Sequence, residues 1–326
     1  MKKIFAVFIV MLIFVGAFSS RTYAISEEQF VEIESLLNES TEISGAPGMS
    51  VSIIDEDETY YFSSGYADRE KRTPATENTL YELASVSKAY TGIGILLLEE
   101  KGLLSMRDPI QKYLPWISFN YKGRPIDMQT MTLNHFLYHT SGLTNEKHFQ
   151  DIPQGRSEDM LLKTVEILKD TELEFSPGYQ YQYGTINYDV LGLVIEIVSG
   201  KSFERFMTDE VFYPLGLNHT YLYRDNAQET GQMAQGYRTS FFMKSPYEAP
   251  DYAGNKPAGY IISDSKDMAR WMEIQLSIVE DIPDIFKRVI MNSHNGNQSV
   301  PADNGLYSEV VFIMIANRNI TCYNSR

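Results

Sequence analysis

The chain has 326 residues, 43% hydrophobic and 22% charged, which excludes a disordered or fibrous protein and predicts one large domain or two closely packed ones. Its formal net charge is −15, so nucleic acid and anionic membrane surfaces are poor partners for it. A single cysteine, Cys322, excludes an intramolecular disulfide, so the fold must rely on its hydrophobic core.

Residues 1–24 have the pattern of a signal peptide. Lys2 and Lys3 precede an apolar stretch of 15 residues that ends at Phe18, and the small residue Ala24 suits a signal peptidase. The stretch is shorter than the roughly 20 residues that a membrane-spanning helix needs, with an uncleaved amino-terminal anchor as the alternative. We therefore predict a mature domain, 25–326, that is secreted or extracytoplasmic and has no stable membrane insertion.

The mature chain should begin with a helix and a β-hairpin. Ser26 is a suitable first residue for a helix, and an apolar face that should pack on a sheet follows it, formed by Phe30, Ile33, Leu36 and Leu37. Two apolar and aromatic runs separated by turn residues then predict the hairpin strands, Met49 to Ile54 and Thr59 to Ser64.

The middle of the chain, approximately 85–255, is predicted to be mostly helical. Apolar residues at helical spacing indicate helices at Ser85 to Gly102, Leu133 to Tyr138, Ser157 to Lys169, Asn187 to Val198, Phe203 to Phe212 and Lys266 to Gln275. The apolar run Glu309 to Ala316 fits a buried strand. The pattern predicts an α/β fold of the α+β type, with an antiparallel sheet built from both termini and flanked by helices.

Ser85 and Lys88 form a Ser-x-x-Lys arrangement at the start of a predicted helix. The spacing of three residues places the two side chains on one face, so the Lys88 amine can reach the Ser85 hydroxyl. A serine hydroxyl becomes a nucleophile when a neighbour takes its proton, and a partly buried lysine with a lowered pKa can do so.

The same arrangement occurs at Ser263 and Lys266, so the pair alone is not specific. There, Asp264 and its serine neighbours are natural capping residues for the following helix. Ser85 could equally be a helix cap, and further residues have to decide between the two interpretations.

A segment of 14 residues decides in favour of a nucleophile: Phe175-Ser176-Pro177-Gly178-Tyr179-Gln180-Tyr181-Gln182-Tyr183-Gly184-Thr185-Ile186-Asn187-Tyr188. With other segments in the same order, it resembles the serine β-lactamase and penicillin-binding protein family, in the branch of class C β-lactamases, DD-peptidases and related esterases. The other segments, which span most of the mature chain, are Pro47-Gly48-Met49-Ser50-Val51, Gly65-Tyr66-Ala67-Asp68, Ala84-Ser85-Val86-Ser87-Lys88, His139-Thr140-Ser141-Gly142-Leu143, Pro214-Leu215-Gly216-Leu217 and Pro257-Ala258-Gly259-Tyr260-Ile261-Ile262-Ser263.

This resemblance implies a β-lactamase/transpeptidase-like fold and a role for each matching residue. Ser85 would be acylated, Lys88 would accept its proton, and Tyr183 would be the tyrosine of the family's Tyr-x-Asn element. Thr185 replaces the asparagine of that element and would contact substrate with one hydroxyl only. The oxyanion hole would combine the Ser85 N–H with one from the last core strand. No cofactor and no metal are expected.

The carboxy-terminal part of the family pattern is shortened here. The family has a Lys/His-x-Gly element on a late strand, but only 17 residues separate Leu276 from His294-Asn295-Gly296. His294 is either that element or a histidine of a turn-forming surface loop, 292–299.

Two other histidines, His135 and His139, have the spacing of a zinc signature. Phe136 follows His135 where that signature has glutamate, so we expect no metal and predict that His139 satisfies buried backbone groups near Gly142.

The sequence thus predicts a secreted serine hydrolase that acts through a Ser85 acyl-enzyme. Its substrates would be D-alanyl peptides of the peptidoglycan type, β-lactams, or small esters and amides, and Thr185 favours a DD-peptidase or esterase over an efficient β-lactamase. The alternative is a catalytically impaired or truncated family member that binds cell-wall ligands.

Overall fold

A computed structural model describes residues 25–55, 58–144, 151–240 and 243–294. The predicted signal peptide 1–24, the predicted strand from Glu309 to Ala316, and Cys322 lie outside the described residues. Within the described ranges, no helix combines the length and apolar character needed to cross a bilayer.

The first elements are a helix and a small antiparallel sheet. Helix α1 (Glu27–Ser44) begins with a capping box in which the Ser26 hydroxyl accepts from the Gln29 N–H. The predicted hairpin is confirmed as β1 (Gly48–Asp55) and β2 (Glu58–Asp68), and the two-residue strand β3 (Thr73–Pro74) extends the sheet.

Helix α1 packs on β2 through part of its predicted apolar face. The Phe30 ring lies 4.6 Å from the Phe62 ring, and Ile33 and Leu37 are half-buried. Leu36 is 59% exposed, so its predicted place in the contact is wrong. Polar contacts take its place, because Asn38 accepts from the Ser64 hydroxyl on the side of the helix that faces β2.

Two long helices form the centre of the molecule. Helix α2 (Ser87–Glu100) packs against α5 (Ile186–Ser199), and both are largely buried. The remaining helices surround this pair: α3 (Leu133–Leu137), α4 (Met160–Glu166), α6 (Phe203–Met207), α7 (Tyr213–Leu215), α8 (Arg224–Glu229), α9 (Lys256–Gly259), α10 (Ser265–Gln275) and α11 (Asp284–Ser293).

Short strands interrupt the helical middle. Strand β4 (Tyr81–Glu82) pairs with β10 (Ile262–Ser263), and this pairing joins the segment before α2 to the segment before α10. The other short strands pair as two small sheets: β5 (Phe119–Tyr121) with β6 (Arg124–Pro125) and β7 (Thr171–Glu172), and β8 (Tyr237–Ser240) with β9 (Met243–Pro246).

The predicted helices differ from the observed ones mainly at their ends. The predicted Ser85 to Gly102 helix starts at Ser87, after a 3-10 turn at Ala84–Val86. The Phe203 to Phe212 helix continues as a π-helix through Thr208–Phe212 and then as α7, and stops at Gly216, which has a φ of 73°.

Helix α11 was not predicted from the sequence, and the prediction of a turn is wrong for Asn292 and Ser293. Phe286, Val289 and Ile290 have helical spacing and are buried. The polar residues Asn292 to Ser299 dominated the sequence pattern, whereas burial of this apolar face against α2 stabilises the helix.

Candidate active site

Ser85 lies in the 3-10 turn between β4 and α2. The turn is fixed on both sides, because the Leu83 N–H donates to the Ile261 carbonyl at 2.8 Å and the Ser87 hydroxyl accepts from the Ile261 N–H at 3.1 Å. Ala84 has a backbone φ of 47°, a value that residues other than glycine rarely adopt. This strained, doubly anchored turn presents the exposed Ser85 to solvent.

Lys88 lies one turn further along, and its side chain is buried with 4% exposure. Its Nζ is 3.3 Å from Ser85 Oγ and 2.6 Å from the Ala258 carbonyl oxygen. The rings of Tyr183 and Tyr188 lie 5.1 and 5.9 Å from Nζ. The amine is therefore held beside the serine hydroxyl in an aromatic, largely dry environment.

Tyr183 contacts Ser85 from the opposite chain segment. Its hydroxyl donates to Ser85 Oγ at 2.8 Å, across 98 residues of sequence. Ser85 Oγ thus has two polar neighbours, a phenol and an amine, and either is close enough to exchange a proton with it.

The structure distinguishes the two Ser-x-x-Lys arrangements. The Ser85 side chain caps no helix, because neither the 3-10 turn nor α2 has a side-chain cap bond at its start. In the second arrangement, Asp264 caps α10 by accepting from the Asp267 N–H, and Lys266 pairs with Glu77 at 3.5 Å. The capping interpretation of the second arrangement is confirmed.

Thr185 immediately precedes α5 and is buried with 8% exposure. Its predicted contact with substrate stays a prediction.

A buried polar cluster connects the Tyr183 segment to the segment after α3. His139 Nδ1 accepts from the Gly184 N–H at 3.2 Å, and Asn187 Oδ1 accepts from the Ser141 hydroxyl at 2.6 Å. The His139 ring also packs on the Tyr183 ring at 4.6 Å. As predicted, His139 satisfies a buried backbone group, but that group is the Gly184 N–H next to Tyr183 and does not belong to the turn at Gly142.

His139 is held neutral by its surroundings. Burial and the nearby positive charge of Lys88 lower its pKa to about 3, although the Gly184 bond opposes this. Because Nδ1 accepts from Gly184, the ring carries its hydrogen on Nε2. A neutral ring next to Lys88 adds no positive charge to the site.

This gives a testable pH dependence of stability. Below about pH 6.5 the unfolded state binds a proton at His139 that the folded state does not, so stability falls as pH falls towards about 3. Relative to His139→Asn, whose Oδ1 also accepts from Gly184, the wild type should lose up to about 1.4 kcal/mol per pH unit. Urea unfolding of both proteins between pH 4 and 8 measures this; parallel curves would contradict it.

His135 has its own partners. Its Nδ1 accepts from the Thr132 N–H at 3.0 Å, whereas His139 accepts from Gly184. The His135 ring therefore caps the start of α3, whereas the His139 ring bonds to the Tyr183 segment.

His294 directly follows α11 and is not on a strand. Its Nε2 is 2.9 Å from Gln275 Oε1, and the ring is half-buried. Of the two interpretations of His294, the strand position of a Lys/His-x-Gly element does not fit. Asn295 and Gly296 lie outside the described residues.

His219, Asp264 and Asp267 bring possible metal-ligand atoms within 4.8 Å of one another. Hydrogen bonds account for these groups: His219 Nδ1 is 2.8 Å from Asp264, and Asp267 accepts from the His219 N–H and the Thr220 hydroxyl. We interpret the cluster as the contact that joins α10 to the 217–220 segment.

Sequence reasoning missed three groups of the site. Ala258 contributes a main-chain carbonyl, which has no sequence signal beyond its motif, and Ser141 and Asn187 contribute side chains that hold the Tyr183 segment. Asn187 and Ser141 lie in sequence segments that resemble the family, and this position is the sequence signal that could have identified them.

Taken together, the anchored serine, buried lysine and facing tyrosine define a serine-hydrolase type of site on a β-lactamase/transpeptidase-like fold. The family profile described as Beta-lactamase matches residues 33–307, and the chain belongs to the beta-lactamase family.

Individual relatives agree with this assignment. Protein flp of Staphylococcus aureus (strain MW2) is 29% identical over 273 residues, 82% of this chain and 52% of that protein. Penicillin-binding protein 4* of Bacillus subtilis (strain 168) is 34% identical over 187 residues, 55% of this chain and 39% of that protein. The chain thus spans about half the length, or less, of these curated relatives.

Solved structures show the same fold. The octameric penicillin-binding protein homologue from Pyrococcus abyssi superposes with a TM-score of 0.69 at 26% identity, covering 82% of this chain and 60% of that one. The Beta-Lactamase/D-Alanine Carboxypeptidase from Pseudomonas syringae gives a TM-score of 0.68 at 22% identity, covering 82% and 70%.

Proposed function

We propose that the chain is a serine hydrolase that reacts through an acyl-enzyme on Ser85. Family membership supports serine-hydrolase-like function, and one observation carries the specific assignment: Ser85 Oγ lies 2.8 Å from the Tyr183 hydroxyl and 3.3 Å from the Lys88 amine. A solvent-exposed serine with two proton-exchanging neighbours is the arrangement that acyl transfer needs.

In the first half-reaction, Ser85 Oγ bonds to the acyl carbon of the substrate and its proton passes to Lys88, which acts in its neutral amine form. The Ser85 N–H stabilises the developing oxyanion, together with a second N–H that the resemblance assigns to the last core strand. The bond from the acyl carbon to the leaving group breaks, and Tyr183 returns a proton to that group, replenished from Lys88.

In the second half-reaction, water attacks the Ser85 ester. The Tyr183–Lys88 pair accepts the proton of the water and gives it to Ser85 Oγ as the ester bond breaks. The carboxylic acid product leaves, and the site returns to its starting protonation state.

The substrates we propose are D-alanyl peptides, β-lactams, and small esters or amides. The similarity to Penicillin-binding protein 4* supports β-lactams as one of these substrate classes. Because Thr185 offers one hydroxyl where an amide would offer a donor and an acceptor, we favour a peptidase or esterase over an efficient β-lactamase. A cell-envelope location outside the cytoplasm fits these substrates and the signal-peptide pattern of residues 1–24.

Covalent labelling tests the proposal. The wild type should react with a fluorescent penicillin or a fluorophosphonate probe, Ser85→Ala should not, and Ser263→Ala, at the second Ser-x-x-Lys, should label like the wild type. Absent labelling of the wild type, or equal labelling of Ser85→Ala, would disprove the acyl-enzyme on Ser85.

A catalytically impaired protein that binds cell-wall ligands is the second candidate. It is favoured by the position of His294, which follows a helix and does not lie on a strand beside the site. Slow labelling without turnover of a generic ester would support it, whereas steady hydrolysis would exclude it.

A further inference from the structure

Helix α9 and the residues on either side of it, 255–261, hold the Lys88 amine in place. This segment is clamped to α2 by three bonds: Thr91 donates to the Pro257 carbonyl at 2.7 Å, Lys88 to the Ala258 carbonyl at 2.6 Å, and the Ile261 N–H to the Ser87 hydroxyl. The position of Lys88 therefore depends on where the 255–261 segment lies.

The 255–261 segment is also fixed to α5, from the opposite side. Asn255 Nδ2 donates to Asp189 Oδ2 at 2.5 Å, and both side chains are buried. One turn along α5, Gly192 allows close packing, because a Cβ there would lie 2.3 Å from Pro257 Cγ. Asp189 is thus the polar anchor between α5 and the segment that holds Lys88.

The hydrogen bonding of Asp189 indicates its charge. Its side chain is fully buried, and Oδ1 has no hydrogen-bond partner among the described residues. A buried carboxylate with one unsatisfied oxygen is far more costly than the neutral acid. Among the described residues, Lys88 bonds to Ser85 Oγ and to the Ala258 carbonyl and forms no ion pair with Asp189.

We propose that Asp189 is a positioning residue that works as a neutral carboxylic acid, anchoring Asn255 and so the 255–261 segment without placing a negative charge behind Lys88. This inference rests on the proposed function. A carboxylate at this depth would stabilise the ammonium form of Lys88 and so weaken it as a proton acceptor. A neutral acid provides the same hydrogen-bond acceptor without that effect.

The titratable groups around Lys88 and Asp189 come from the elements packed on α5. Helix α2 supplies Lys88, the residue after α9 supplies Tyr260, and the segment after α3 supplies His139. Burial raises the pKa of Tyr260 to about 12 and lowers that of His139 to about 3, so both are neutral near pH 7. Burial likewise raises the pKa of Asp189, against the opposing effects of Asn255 and Lys88.

Among the described residues, the other helices that touch α5 bring no further charge to Asp189. The charged residues of α4 are exposed, and Glu204 of α6 is bonded to Lys256 of α9 at 2.6 Å.

The test is the pH profile of covalent labelling in the full chain, with the fluorophosphonate probe. Asp189→Asn keeps an uncharged oxygen that can accept from Asn255. The acid limb of its profile, where the labelling rate falls at low pH, should therefore stay within about 0.3 pH unit of the wild type. Asn255→Asp creates two adjacent carboxyls, which share one proton as pH rises and leave a negative charge near Lys88. Its acid limb should move to higher pH by about one unit or more.

Asp189→Leu tests the anchor itself. Leucine has a similar volume but no hydrogen-bond acceptor. The labelling rate should fall by about 30-fold, with little change in the probe concentration that gives the half-maximal rate. Asp189→Asn should keep most of the wild-type rate. Thr164→Val, which removes another buried hydroxyl without a described partner, is the matched control and should label normally. Thermal melting shows whether each variant folds; if Asp189→Leu does not, the two pH profiles decide.

An acid limb that moves to lower pH by about one unit in Asp189→Asn would overturn the proposal. It would mean that Asp189 is ionised in the wild type and stabilises the ammonium form of Lys88. An unmoved limb in Asn255→Asp, or a wild-type rate in folded Asp189→Leu, would also overturn it. A wild type that does not label refutes the proposed function instead, so the two failures are distinguishable.

Discussion

Lys88→Met is expected to lower the rate of Ser85 acylation by about 10³- to 10⁴-fold, which corresponds to about 4 to 5.5 kcal/mol in the activation barrier. Methionine can occupy the same buried position but cannot accept the proton of Ser85. The loss should appear in the maximal rate of labelling, because Lys88 is buried behind Ser85 and does not line the exposed surface of the site.

Stability should respond differently from activity. Lys88 is a buried amine that forms no ion pair with any described residue, which is costly, so its replacement by an apolar chain should keep the melting temperature within about 5 °C of the wild type or raise it. A residue whose removal abolishes activity while leaving the fold intact is retained for chemistry.

Lys266→Met is the matched control for this experiment. Lys266 belongs to the second Ser-x-x-Lys but lies in a half-exposed pair with Glu77, so its labelling rate should equal that of the wild type. Stopped-flow or gel-based labelling measures both variants. A less than tenfold loss in Lys88→Met would contradict the role of Lys88 as the base.

The comparison of these two lysines shows what the sequence could establish. By spacing alone, Lys88 and Lys266 were equally good candidates for the catalytic lysine. Only the family-like segments, which include the one that contains Tyr183, favoured Lys88. The structure separates them by a physical criterion: Ser85 Oγ contacts Lys88 and Tyr183, whereas Asp264 at the second position caps a helix. Local propensity predicts caps and helices, but not which distant side chain will meet a serine.

The remaining parts of the site depend on contacts that no local pattern encodes. The Asn255–Asp189 bond joins residues 66 positions apart, and Lys88 is held by a main-chain carbonyl that any residue at position 258 would supply. Helix α11 was missed for a related reason, because a short apolar face beside a polar run is stabilised only by the helix it packs on.

Tyr183→Phe is expected to lower acylation by about 10²- to 10³-fold and to lower ester turnover by at least as much. The hydroxyl is the nearest polar neighbour of Ser85 Oγ, at 2.8 Å, while the ring packs on His139 and keeps its place without it. Because Lys88 remains, the variant should still label slowly, unlike Ser85→Ala.

A comparison of substrates with different leaving groups would identify what the Tyr183 hydroxyl does. If Tyr183 returns the proton to the leaving group, the defect should be largest for an amide, whose leaving group needs protonation, and smallest for an activated ester, whose leaving group does not. Tyr179→Phe is the control, since Tyr179 is 71% exposed in the same segment and should be without effect. Equal defects with both substrates would instead assign Tyr183 to holding Ser85 Oγ in position, with Lys88 alone transferring the proton.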